Sequence, residues 1–184
     1  MRVAFAYLVD DRTWLGGKNY LASLFSAVRC AGADDIELVF VTGERTDTSL
    51  PVDFPFLEVV RTPMIDRFTP AWWWRQLQRG PSRLRADPAL ERLLGGLSVD
   101  VLSHSGALGS RSAIRTLGWL PDFQFLHLQQ YWTPAQLRAT TRTYLAATRH
   151  CDALVLSSQA ALDDLRAFDS RCRAQPHVLR FVAA

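Results

Sequence analysis

The chain has 184 residues, 48% hydrophobic and 21% charged, which suits one folded domain with a full core and excludes a disordered or fibrous protein. Its 21 basic and 18 acidic residues leave a net charge of +3. That excess is too small to argue for nucleic acid, and it is compatible with an anionic ligand or a membrane surface.

The chain opens on "RVAFAYLV", rich in valine and aromatics, which reads as a buried strand. "MRVAFAYLVDD" has no small-residue cleavage site, so it does not read as a signal peptide, and the cytoplasm is the default compartment. A loop "DDRTWLGG" follows. In "KNYLASLFSAVRCAG" the apolar residues Tyr20, Leu21, Leu24, Phe25 and Val28 form one helical face, and Gly32 stops it. "DIELVFVTG" reads as a second strand, "ERTDTSLPVDFP" as an exposed turn region, and "FLEVVRT" as a third strand.

Thr69 and Pro70 are placed as N-cap and first residue of a helix that contains "AWWWR". Three consecutive tryptophans cannot all face one core, because successive helical residues point about 100° apart. Trp72, Trp73 and Trp74 therefore read as a bulky core corner with one ring inward, or as a patch that rests on a membrane or a partner. "DPALERLLGG" is a short helix, "SVDVLSHSG" a strand that opens into a glycine loop, and "RTLGWLPDFQ" a strand running into a turn. A helix over "TPAQLRATTRTYLAATRHC", capped by Thr133, precedes the strand "DALVLSS", the helix "QAALDDLRAF" and a final strand "HVLRFV".

Alternating strands and helices imply an α/β fold with a mostly parallel sheet covered on both faces. Cys30, Cys151 and Cys172 form no close pair and read as reduced thiols; no zinc spacing occurs. Residues 1–184 read as a single domain. The end on "VLRFVAA", a strand without a closing helix, leads us to expect a further segment.

In such sheets ligands bind beyond the carboxyl ends of the strands, which selects four loops. Gly16 and Gly17 let the backbone approach a ligand, and the following helix aims its free amides at the same place, so a phosphate fits there; a plain turn is the structural alternative. In "WLPDFQFLHL" Pro121 ends the strand, Asp122 and Gln124 emerge at the turn, and Phe123, Phe125 and Leu126 pack beneath. Asp122 as a turn cap and His127 as a satisfied, half-buried histidine are the structural alternatives. "SHSG" and "SSQ" are the other two loops, with Ser157 or Ser158 read first as an N-cap.

"WLGGKNYLASLFSAV" resembles the first glycine loop and helix of the N-terminal domain of GT-B fold glycosyltransferases. "GWLPDFQFLHLQQYWT", the long helix after it and "CDALVLSSQAALDDLRAF" are similar to the later part of that domain in glycosyltransferase family four, the retaining group-one enzymes. The resemblance implies a Rossmann-like three-layer α/β/α domain, one half of a GT-B architecture. It implies the acceptor-binding half of a retaining enzyme that moves a sugar from a nucleotide-sugar donor to an acceptor hydroxyl, with the nucleotide-binding C-terminal domain outside this chain. Gly16, Gly17, Lys18 and Asn19 would meet the donor's diphosphate and sugar; Asp122, Gln124, His127 and Ser105 would line the acceptor side; Asp122 and His127 are the catalytic candidates. No metal and no cofactor besides the nucleotide-sugar co-substrate is expected. The partners would be a glycan or small-molecule acceptor, the second domain, and the inner face of a membrane through Trp72, Trp73 and Trp74. The family's histidine before the aspartate of this loop is replaced by Pro121. The alternatives are a free-standing Rossmann-like module that binds a small anion, and half of a GT-B sugar-nucleotide epimerase.

Overall fold

The computed structural model describes residues 1–7, 15–33, 35–80, 85–109 and 111–180. In chain order they form β1 (Arg2–Tyr7), α1 (Leu15–Cys30), β2 (Glu37–Thr42), α2 (Leu50–Asp53), β3 (Glu58–Arg61), α3 (Pro70–Arg79) and α4 (Pro88–Gly96). There follow β4 (Val101–Ser103), β5 (Arg115–Leu120), α5 (Gln124–His127), a 3₁₀ turn at Gln129–Tyr131, α6 (Pro134–His150), β6 (Ala153–Leu156), α7 (Gln159–Phe168) and β7 (Gln175–Val178).

The strands make one seven-stranded sheet in the order β3-β2-β1-β4-β5-β6-β7, and every neighbouring pair is parallel. Side chains alternate across it, as the two-residue strand period requires. Ala4, Val39, Val41 and Leu102 face one side and pack with Ile65 and with Leu90 and Leu94 of α4. Phe5, Tyr7, Leu38 and Phe40 face the other and pack with Tyr20, Leu21 and Phe25 of α1. Around β5 and β6, Leu120, Leu154 and Leu156 pack with Phe123, Phe125 and Leu165. This is the Rossmann-like α/β/α arrangement the sequence leads one to expect. Gly118 explains itself here: a Cβ would stand 2.9 Å from Leu154 Cδ2 and 3.2 Å from Cys151 Sγ, so only glycine lets β5 lie this close to its neighbour.

The capping assignments agree with the sequence. Thr69 accepts from Trp72 N, Ser158 from Ala161 N, and Thr133 with Gln136 forms a complete capping box. The three cysteines are free.

Three expectations differ. Helix α1 begins at Leu15, so Gly16 and Gly17 lie in its first turn and not in a preceding loop. The turn region after β2 contains a single helical turn, Leu50–Asp53, because Leu50 is fully buried in the α1-side core. The last strand spans Gln175–Val178, set by its pairing with β6, rather than 177–182; residues 181 and 182 lie outside the described residues, as do 8–14. The inner strands are mainly apolar, whereas the edges β3 and β7 carry exposed Glu58, Arg61, Gln175, Pro176 and His177.

The tryptophan run is not a core corner. Trp73 and Trp74 are 57% and 60% exposed, Trp72 is half-buried, and the buried residue of α3 is Arg75. Arg75 turns inward because Asp87, the N-cap of α4, is there to neutralise it. That inward turn leaves Trp73, Trp74 and Leu77 together on the outer face.

Candidate functional site

The strand order reverses between β1 and β4: β2 and β3 lie on one side, β5 to β7 on the other. A crevice opens at such a switch point, beyond the carboxyl ends of the strands. Here the end of β4 lies between the ends of β1 and β5, and Tyr20 of α1 reaches it.

The centre of this wall is His104, directly after β4. Its φ is +57°, the left-handed region that non-glycine residues seldom adopt, and its backbone N–H donates to Leu117 O at 2.7 Å. The turn aims the ring towards α1. Nε2 lies 2.8 Å from the Tyr20 hydroxyl and Nδ1 2.7 Å from Ser103 Oγ. Burial holds the imidazole down to about 4 and pushes the Tyr20 hydroxyl up to about 12. At neutral pH the ring is therefore uncharged; one nitrogen donates, the other accepts, and both hydroxyls are satisfied.

Aromatic rings enclose this pair. Tyr20 stacks on Trp119 with centroids 4.4 Å apart and planes 6° apart, and the His104 ring lies 5.4 Å from Phe5 and 5.5 Å from Trp119. Both ring nitrogens of His104 are committed within the protein. It is thus a positioning group, tying the end of β4 to the first turns of α1, rather than a general base.

Of the residues chosen from sequence, Gly16 is exposed, and among the described residues a Cβ there would meet nothing within 4 Å. Gly17 is buried, Lys18 half-buried and Asn19 exposed. The amides of this first turn point out of the helix end. Ser105, half-buried, is next to His104.

Beyond β5, Pro121 ends the strand as expected. Asp122 and Gln124 are exposed, and Asp122 Oδ1 accepts from Gln124 N at 3.1 Å, so the aspartate caps its own turn. The turn is held from below: Tyr144 donates its hydroxyl to Asp122 O at 3.0 Å, and Ser157 Oγ donates to Pro121 O. Phe123 and Phe125 are buried against Tyr144 and Phe168.

His127 is not half-buried. It is exposed on α5 and pairs with Asp164 of α7 at 2.9 Å, an arrangement separate from the His104 cluster. Among the described residues no group of three or more His, Cys, Asp or Glu could hold a metal ion, and no helix is long and apolar enough to cross a membrane.

Sequence reasoning missed His104, Tyr20 and Trp119. The available signal was "SHSG", a histidine directly after an apolar strand and two residues before a glycine; Ser105 was taken from it in place of His104. Neither a scan against protein-family models nor a search of curated proteins gives a match, so the fold and the crevice geometry carry the functional reading.

Proposed function

We propose that the chain is the acceptor-binding half of a retaining glycosyltransferase that moves a sugar from a nucleotide-sugar donor to an acceptor hydroxyl. The observation that carries this reading is the switch-point crevice. There the exposed Gly16 at the start of α1 lies one helical turn before Tyr20, which with His104 forms an aromatic-walled pair. Amides at a helix N-terminus suit a diphosphate, and aromatic rings nearby suit the apolar face of a sugar. In this reading catalysis rests on orientation and on stabilising the leaving diphosphate, with the remaining nucleotide contacts in a second domain. Asp122, Gln124 and Ser105 line the acceptor side.

The epimerase alternative needs an acid–base pair. Asp122 caps its turn and His127 pairs with Asp164, two separate arrangements, which weighs against it. In the same reading the exposed face of α3, Trp73 and Trp74 with Trp72 behind, rests on the inner face of a membrane. Sedimentation with anionic vesicles tests that contact: loss of binding in Trp73→Ala/Trp74→Ala supports it, and equal binding removes it.

The test of function is sugar transfer by the native-length gene product, with UDP-glucose and GDP-mannose among the donors and NMR of the product's anomeric configuration. Gly16→Val is the informative variant, because its side chain enters open space and leaves the fold intact. Turnover should fall at least about tenfold with an unchanged thermal midpoint, the loss of a contact worth about 1.4 kcal/mol. Unchanged kinetics in Gly16→Val, or an inverted product, overturns the reading.

A further inference from the structure

At the end of the sheet opposite the switch point, where α6 finishes and β6 and β7 begin, lies a depression of about 450 Å³ lined by Arg85, Arg142, Arg149, His150, Arg171 and Arg173, together with Leu145 and Ala146. Five arginines and a histidine share this one hollow.

Among the described residues no acid lines the hollow. The neighbouring carboxylate, Asp169, is buried and already engaged. Its Oδ2 accepts from Thr148 Oγ1 at 2.6 Å and from Arg149 Nε at 3.2 Å, and its Oδ1 accepts from Arg171 N at 3.1 Å. Among the described residues no carboxylate pairs with Arg85, Arg142, Arg171 or Arg173. Like charges held together without counter-charge repel, and guanidinium forks match phosphate oxygens two at a time. The volume is several times that of one phosphate group.

We propose that this hollow is a second binding site, for a compact ligand bearing several phosphate groups. It is independent of what the crevice binds. His150 supplies an internal reporter. Burial first, and then the charges of Arg85, Arg149 and Arg173, hold its ring below the ordinary histidine value. A bound polyanion cancels those charges and raises it.

Calorimetry with inorganic tripolyphosphate and orthophosphate tests the site on the whole chain. Tripolyphosphate should bind at least roughly tenfold more tightly than orthophosphate, a difference of about 1.4 kcal/mol. The double variant Arg142→Ala/Arg173→Ala, which spares the Arg149–Asp169 pair, should lose that preference and keep its thermal midpoint. The His150 ring, assigned with His150→Gln, should titrate at higher pH when tripolyphosphate is bound. Vesicles carrying a phosphorylated inositol headgroup distinguish the sources: binding that tripolyphosphate displaces places the phosphates on a lipid, and no vesicle binding places them on a soluble ligand. No binding of tripolyphosphate, equal binding by the double variant, or an unmoved His150 overturns the proposal. Tighter binding of single-stranded DNA than of tripolyphosphate also overturns it, in favour of a general polyanion surface.

Discussion

Arg75 and Asp87 form an ion pair at 2.8 Å with only 6% and 5% of their side chains exposed, and this pair joins α3 to α4. Asp87 also accepts from Leu90 N as the cap of α4, and Arg79 approaches it at 3.2 Å. Removing one partner leaves an uncompensated charge inside. Asp87→Ala should cost about 3–5 kcal/mol of unfolding free energy in chemical denaturation. The double variant Arg75→Met/Asp87→Leu should recover a large part of that loss. If Asp87→Ala unfolds like the parent, the pair is not what holds these helices together.

The His104 ring gives a defined pH dependence. Its folded value, about 4, lies below the ordinary 6.5, so the unfolded chain holds the proton more tightly. Stability is then complete above 6.5, falls as the pH drops towards 4 and levels off below that. The size is about 3 kcal/mol at most. Asp169 adds a separate loss at lower pH. Burial disfavours its ionisation, but hydrogen bonds from Thr148, Arg149 and the Arg171 amide prevail and hold its carboxyl below the usual range. His104→Asn, which tolerates the left-handed backbone, should flatten the stability profile between 6.5 and 4 only. An identical profile in the variant assigns the slope elsewhere.

Gly43, at the end of β2, has no room for a side chain. A Cβ there would run into Asp66 Oδ1 and Thr46 Oγ1. The Asp66 carboxylate accepts from the amides of Glu44 and Arg45, at 2.9 Å for Glu44. Gly43→Ala must push that carboxylate off its donors and should cost about 1–3 kcal/mol in thermal or urea unfolding. A neutral result means the turn shifts to accommodate it.

The polar and apolar members of "DFQFLH" should separate. Phe123 is 1% exposed among Phe125, Tyr144 and Phe168, so Phe123→Ala should cost about 3–5 kcal/mol. Asp122→Asn and Gln124→Ala should change stability by less than about 1 kcal/mol and lower acceptor use in the native-length enzyme. His127→Ala, which breaks an exposed pair, should cost less than about 1 kcal/mol and leave acceptor kinetics unchanged. Unfolding free energies beside acceptor kinetics decide each case.

Local chemistry was legible in the sequence; distant partnership was not. Thr69–Pro70 and Thr133–Pro134 announce helix starts because a cap needs only residues within one turn. Pro121 announces the end of β5 because the missing N–H is its own property. His104 looked ordinary because its partner, Tyr20, lies 84 positions away. Nothing near Arg75 in the sequence marks it for burial, because the charge that permits it belongs to another helix. "GG" looked like a loop because glycine disfavours helix, yet buried Tyr20, Leu21 and Phe25 hold the first turn in place.

The two edges of the sheet bear on how copies of the chain behave when crowded. A sheet edge presents unpaired backbone groups to any passing strand. Here each edge strand is four residues long. β3 displays Glu58 and Arg61, and β7 carries Pro176, which has no amide to offer. A second copy would find too short and too interrupted a template to extend the ladder, so strand-to-strand polymerisation is disfavoured at either side.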